Sequence, residues 1–299
     1  MSAAIAEPVL RVGDQKGNAQ AVMEAAGVLK DVPYRIEWKE FAAAAPLLEA
    51  LGAGAIDTGL VGDAPFTFAA AANVPVKAIA AIRQSRDGLA ILVPEQAPIK
   101  SFEDLRGKKI ATGRGSVGHQ LVLAALAAKG WTPDDVQFVF LAPSDAKIAY
   151  SQGSVDAWST WEPYVSQEEV LFKARRIISG EGLTPGLSFT VATPEAIRDR
   201  REALEDFVRR LTAARVWSQD HVEGYAEAWG RLMHIPPAVA VNWLQRARIR
   251  VAPIDDAVVA DEQGTIDLYF RSGLIKQKLD ASGMVDRSFG DAIAKGSAF

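Results

Sequence analysis

A chain of 299 residues that is 49% hydrophobic and 23% charged can bury a full core, and its length suits two domains or one large α/β domain. A formal net charge of -4, with Lys and Arg scattered along the chain, excludes the basic footprint of a nucleic-acid binder, and no run approaches the roughly 20 apolar residues of a membrane span. The absence of any cysteine removes disulfides, thiolate metal sites and cysteine nucleophiles.

The N-terminal MSAAIAE has no basic or apolar leader region and so carries no complete secretory signal. Ala4-Ile5-Ala6 nevertheless resembles the small-residue end of a cleavage site; a flexible Ala-rich start and a leader replaced by Met stand as equal readings. Short β-rich runs then alternate with helical patterns. Strands are expected at 9–13, 34–38, 55–60, 76–82, 89–93, 108–112, 136–141 and 155–159, and helices at 18–29, 43–51, 65–72, 117–129 and 144–152. Such alternation predicts parallel βαβ units. Beyond Pro194 the pattern turns helical, over 200–230, 236–246 and 255–272.

Two prolines within 94–102 mark a linker, and the strand 187–192 between Gly186 and Pro194 marks a second crossing. The expected architecture is therefore an α/β protein of two lobes, each a mostly parallel sheet flanked by helices, with a helical C-terminal segment. Residues 8–91 and 191–299 form a discontinuous outer lobe and 92–190 an inserted inner lobe. Ligands of open α/β sheets sit beyond the carboxyl ends of the strands, which directs attention to the loops at 14–18, 61–65, 83–88, 113–119 and 158–164.

The segment GRGSVG at 113–118 follows an expected strand and opens an expected helix, so it satisfies the dinucleotide pattern G-x-G-x-x-G, with Asp134 and Asp135 about 20 residues on. Its mid-chain position, and the acids falling before the next strand, weigh against a dinucleotide. The physics beneath the motif is more general: exposed N–H groups at a helix start hold an anion whatever the anion is. Ser116 adds a hydroxyl and His119 a ring donor, beside the backbone of Val117 and Gly118. Ser116 as a plain N-cap is the competing reading, but it would not require Gly on both sides.

The sequence resembles the aliphatic sulfonate-binding proteins of bacterial ABC importers, within the nitrate, sulfonate and taurine solute-binding family. The resemblance rests on LRVGDQKG (10–17), LEALGAGAID (48–57), TGLVGDAP (58–65), GSVGH (115–119) and VDAWSTWEPY (155–164), whose order covers most of residues 8–193. It implies a type II periplasmic-binding-protein fold, with sulfonate oxygens held by Gln15, the turn from Gly62 to Pro65, Ser116 to His119, and the region of Trp158 and Trp161. It further implies a small organic anion as ligand, an ABC permease as membrane partner, a periplasmic location and a monomer. Asp14 departs from the family, which often has an aromatic residue there, and this leaves the wall beside the ligand tail open.

Several residues carry two readings. Asp63, in Gly-Asp-Ala-Pro before an apolar helix, reads as an N-cap, leaving the adjoining N–H groups of the turn, including that of Ala64, to meet the ligand. Arg83 and Arg86 follow a strand; an arginine fork suits a sulfonate or carboxylate, whereas a solvated loop is commoner. Arg83 is kept as a candidate contact, and an inward-facing Arg at either position would imply a second anionic group on the ligand. Trp158 and Trp161 suit an apolar ligand tail or interlobe packing. Ser188, on the returning strand, completes the candidate contacts. The three His residues lack metal-ligand spacing, no cofactor is expected, and Asp57 and Glu162 do not read as a catalytic pair. The leading reading is capture of an anion without turnover. The alternatives are an enzyme on the same fold (a desulfinase, opposed by the missing cysteine, or a pyrimidine-forming enzyme), a dinucleotide enzyme, and a sensor domain.

Overall fold

The computed structural model describes residues 8–298; the Ala4-Ile5-Ala6 segment lies outside them. The chain begins β1 (Val9–Gln15), α1 (Asn18–Ala25), β2 (Arg35–Phe41), α2 (Ala44–Gly52), β3 (Thr58–Gly62), α3 (Asp63–Ala71) and β4 (Lys77–Arg83). It continues with β5 (Leu89–Val93), β6 (Lys109–Thr112), α4 (Val117–Ala128), β7 (Gln137–Phe140), α5 (Pro143–Ser151), β8 (Ala157–Trp161), α6 (Tyr164–Phe172) and β9 (Arg175–Ser179). It returns through β10 (Leu187–Ala192), α7 (Pro194–Asp199), α8 (Arg201–Asp220), α9 (Val222–Met233), α10 (Pro237–Ala247), β11 (Arg250–Ala252), α11 (Asp256–Arg271) and α12 (Gly290–Ser297).

The strands form two sheets, ordered β11-β4-β10-β3-β1-β2 and β7-β6-β8-β5-β9. Both are mixed, a correction to the mostly parallel sheets expected. β1 runs parallel to β2 and β3, and β6 parallel to β7 and β8, but β10 is antiparallel to β3 and β4, and β5 antiparallel to β8 and β9. The cause is the crossing itself. A chain leaving the carboxyl end of β4 enters the second sheet from the side on which its other strands end, so β5 must run backwards through it. β10 does the same on return.

The expected division at 91/92 falls inside β5, and that at 190/191 inside β10. The sheets change between Arg83 and Leu89 and again between Ser179 and Leu187. The prolines at 94–102 end β5 and lead to β6 within the second sheet; their restriction on φ stops a strand as effectively as it marks a linker. The helical stretch expected at 200–230 breaks at His221 into α8 and α9, and β9, β11 and α12 have no counterpart among the expected elements.

Each sheet is covered on both faces, which explains why β4 and β5 read as near-continuous apolar runs. On the first sheet, Leu10, Val12, Ile79 and Ile82 pack with Phe207, Leu211 and Trp229 of the tail helices. On its other face, Leu47, Phe66 and Phe189 pack with Ile266 and Tyr269 of α11. The helical tail is therefore part of the first lobe's core. Around the second sheet, Ile91, Ile110, Leu121 and Leu126 fill one face and Leu92, Trp158 and Val165 the other. Among the described residues no helix is long and apolar enough to cross a membrane.

Candidate ligand cleft

A cavity of about 630 Å³ lies where the carboxyl ends of strands from both sheets meet. Several helices start on it, α2, α3 and α4 among them. α2 begins at Ala44 and α3 at Asp63, neither with a side-chain cap, while at α4 the Ser116 hydroxyl accepts the N–H of His119 at 3.2 Å. Residues 43–46, Gly62, Asp63, Pro65, Ser116 and Val117 all border the cavity. Helix starts leave backbone N–H groups without internal partners and concentrate positive potential there, so their convergence on one cleft favours an anion.

Two glycines permit this convergence. A Cβ on Gly62 would stand 2.6 Å from Val117 Cγ1, and one on Gly115 would stand 2.5 Å from Phe68 Cγ, so each lets a turn of one lobe reach a side chain of the other. Gly115 also adopts φ 71°, a region that L side chains rarely occupy.

The remaining wall is largely apolar. Phe68, Phe140, Leu141, Trp161, Leu187 and Trp243 contribute to it. Gln15 borders the cleft with its amide donating to Leu60 O at 2.7 Å, and Ser188 lies beside Gln84 on the same side.

Of the twelve contacts expected from the sequence, Gln15, Gly62, Asp63, Ser116, Val117, Trp161 and Ser188 border the cavity, whereas Ala64, Arg83, Gly118, His119 and Trp158 do not. Arg83 turns away to pair with Asp261 of α11 at 2.5 Å, and it is Arg86 that borders the cleft. Gly118 faces Ser159 O and Thr112 Oγ1, where a Cβ would stand 2.5 and 2.6 Å away, so it serves the packing of α4 on β8. Trp158 is 1% exposed and packs between Tyr150 and Tyr164. His119 is buried edge-on against Phe138 and Phe140, with Nδ1 accepting the Gly115 N–H at 3.2 Å. Burial, helped by the charge of Arg114, pushes its pKa down to about 4, so it is neutral at ordinary pH and acts by holding the Gly115 loop.

Asp63 is the first residue of α3, not its cap, which is Gly62. It lies on the seam between lobes, where its Oδ2 accepts from Gln120 Nε2 of α4 and Thr265 Oγ1 of α11, both at 2.7 Å. Burial pushes its carboxyl upward against those hydrogen bonds. Nearby Glu262 is raised further, by burial and then by Asp63 itself. The Asp63 carboxylate is thus engaged away from an incoming anion. Of the acids of the dinucleotide pattern, Asp135 is likewise occupied, accepting from Arg106 and from the Thr132 N–H.

A second seam joins α6 to α10. Arg246 meets Glu162 at 3.1 Å and Glu169 at 2.7 Å, and Ser166 donates to Asn242 at 2.9 Å. Glu162 also accepts the Ser166 N–H, capping α6, while Asp57 pairs separately with Arg11. Burial outweighs Arg246 and lifts Glu162 to about 7. Because this carboxyl binds its proton more tightly in the folded chain, its stabilising contribution is full below its ordinary value near 4.5 and is lost as pH rises through about 7. Between pH 5 and pH 8, Glu162→Gln should therefore lose less stability than the parent by up to about 3 kcal/mol, as read by denaturant unfolding. Parallel pH profiles would contradict this assignment.

The sequence offered no clear signal for the Arg86 orientation, the open start of α2 or the two seams, because each depends on residues distant in the chain. It did offer one for the tryptophans. Positions three apart on a strand point to opposite faces, so Trp158 and Trp161 of β8 cannot both line one wall.

The chain is similar in sequence and fold to known proteins. The family described as NMT1/THI5 like matches residues 36–221. A putative aliphatic sulfonates-binding protein of Escherichia coli (strain K12) is 32% identical over 91% of this chain and 86% of its own length. One of Bacillus subtilis (strain 168) is 31% identical over 94% and 83%. Among solved structures, the alkanesulfonate-binding protein SsuA from Xanthomonas axonopodis pv. citri bound to MOPS superimposes with a TM-score of 0.89 at 30% identity, covering 95% of this chain and 100% of that one.

Proposed function

The chain belongs to the NMT1/THI5-like family, and from that premise we propose that it is the extracytoplasmic substrate-binding component of an ABC importer, capturing an alkane- or arylsulfonate between its lobes. The observation that carries this reading is the meeting of the starts of α2, α3 and α4, the first two without side-chain caps, in a cleft whose other walls are mostly apolar. A sulfonate presents three acceptor oxygens to such a set of N–H groups and the Ser116 hydroxyl. Its hydrocarbon tail then lies along Phe68, Phe140 and Trp161. Each charge-assisted hydrogen bond adds roughly 1.5–3 kcal/mol once water is excluded.

Mechanism on this reading is capture and release. The ligand touches α3 of one lobe and α4 of the other, so it favours the closed arrangement and shifts the population toward it. The closed monomer is what a membrane permease in the periplasmic setting would recognise, and transport would draw the ligand out as the seams part. A desulfinase on this fold would need a cysteine nucleophile, which this chain lacks.

Calorimetric titration with hexane-1-sulfonate, taurine, nitrate and NAD tests the reading. A sulfonate should bind, be recovered intact, and stabilise the protein by about 2.7 kcal/mol at a concentration 100 times its Kd. Ser116→Ala should weaken that binding by roughly tenfold, and cost about 1 kcal/mol of stability through the lost cap. Binding of NAD alone, or recovery of a desulfonated product, would contradict it.

A further inference from the structure

We infer that the preferred ligand carries a second anionic group at the far end from its sulfonate, read by Arg86 and Arg114; this rests on the sulfonate reading above. Four carboxylates border the cleft, and three are engaged. Asp14 accepts the α1 N–H groups of Ala19 and Gln20, Asp63 is bound by Gln120 and Thr265, and Glu162 by Arg246 and the Ser166 N–H. Only Glu49, exposed on α2, has neither a side-chain hydrogen-bond partner nor a cation beside it among the described residues.

The cations are the opposite. Of those bordering the cleft, Arg215 is tied to Asn18 and to Tyr225, but Lys16, Arg86 and Arg114 meet no carboxylate among the described residues. Two of the three are held by contacts that leave their charge unneutralised. The Arg114 guanidinium lies 4.2 Å over the ring of Phe140, itself stacked on Phe138. The Arg86 stem lies across Gly186, where a Cβ would stand 3.0 Å from Arg86 Cγ and 2.5 Å from Gln84 O; Gly186 adopts φ 63°. A planar guanidinium held in this way is suited to a carboxylate or a second sulfonate. Arg86 comes from the β4–β5 crossing between the sheets and Arg114 from the β6–α4 loop of the second, and both border the one cleft, where a group projecting along the apolar wall would meet them.

The test compares propane-1-sulfonate with 3-sulfopropanoate, in which a carboxylate replaces the terminal methyl, by calorimetric titration of the full chain at one ionic strength. The dianion should bind about 10- to 100-fold more tightly. In R86Q and R114Q the ratio of the two affinities should fall toward one, and the carboxamide analogue of 3-sulfopropanoate should behave as the monoanion does. Equal affinity of the parent for both ligands, or an unchanged ratio in both variants, would overturn the inference while leaving the sulfonate reading intact. Binding of neither ligand would overturn both.

Discussion

Gly115→Ala should lose both stability and ligand affinity. A side chain held at φ 71° costs about 1–2 kcal/mol, and overpacking adds about 1–3 kcal/mol, since the new Cβ would stand 2.5 Å from Phe68 Cγ. The ring sits on α3 and cannot retreat as a flexible chain end would. Relief must come from the loop, which carries the Gly115 N–H off His119 Nδ1 and displaces the start of α4. Unfolding in denaturant should show a loss of about 2–4 kcal/mol, and sulfonate affinity should fall by 10- to 100-fold, the loss of one or two charge-assisted hydrogen bonds. His119→Phe, by contrast, should act on stability first, because the imidazole contacts the loop and the aromatic pair of β7 without bordering the cleft. Unchanged affinity in Gly115→Ala would show that the loop's position is not what holds the anion.

Asp63→Ala is expected to be the most damaging single change on the seam between lobes. It removes the acceptor of both Gln120 and Thr265, leaving two buried donors unsatisfied at about 1–3 kcal/mol each. A loss of roughly 3 kcal/mol or more should appear in denaturant unfolding. Asp63→Asn retains one oxygen and removes a charge whose burial already works against it, so it should stay within about 1 kcal/mol of the parent. The contrast separates acceptor from charge. Comparable large losses in both variants would mean that the ionised carboxylate itself holds the seam, and the upward shift assigned to burial would then be wrong.

The residues that were legible in the sequence share one property: their roles follow from local pattern. β1, β5 and β10 were marked by dense apolar runs, and Ser116 by a glycine-flanked position between strand and helix. The loops after β1, β3 and β6 border the cavity, and strand ends and helix starts suffice to point to them. What was not legible depended on partners far along the chain. Arg83 and Arg86 are indistinguishable as sequence, and the choice between them is made by Asp261, 178 positions from Arg83. The inward turn of His119 is set by Phe138 and Phe140, which the parallel pairing of β6 with β7 brings alongside. β9 carries little strand signal because its RRIIS run is half-buried and charged, although its register against β5 makes it an ordinary edge strand. The crossing point is not legible locally because proline punctuates a strand end and an interlobe linker with the same chemistry.

The cleft also accounts for how an anion site can hold several carboxylates. Asp14, Asp63 and Glu162 are spent on helix N–H groups, on the seam network and on Arg246, so each contributes structure without opposing the ligand. Their removal is predicted to alter stability and lobe contact before it alters recognition.

The most direct test of the central claim is the location of the ligand's sulfur by anomalous scattering in crystals grown with hexane-1-sulfonate. The sulfur should lie among the starts of α2, α3 and α4, with sulfonate oxygens within hydrogen-bond distance of Ser116 Oγ and the backbone at Gly62 and Val117, and the alkyl chain toward Phe140 and Trp161. A sulfur found outside that group of helix starts, or an alkyl chain occupying it in the sulfonate's place, would contradict the account.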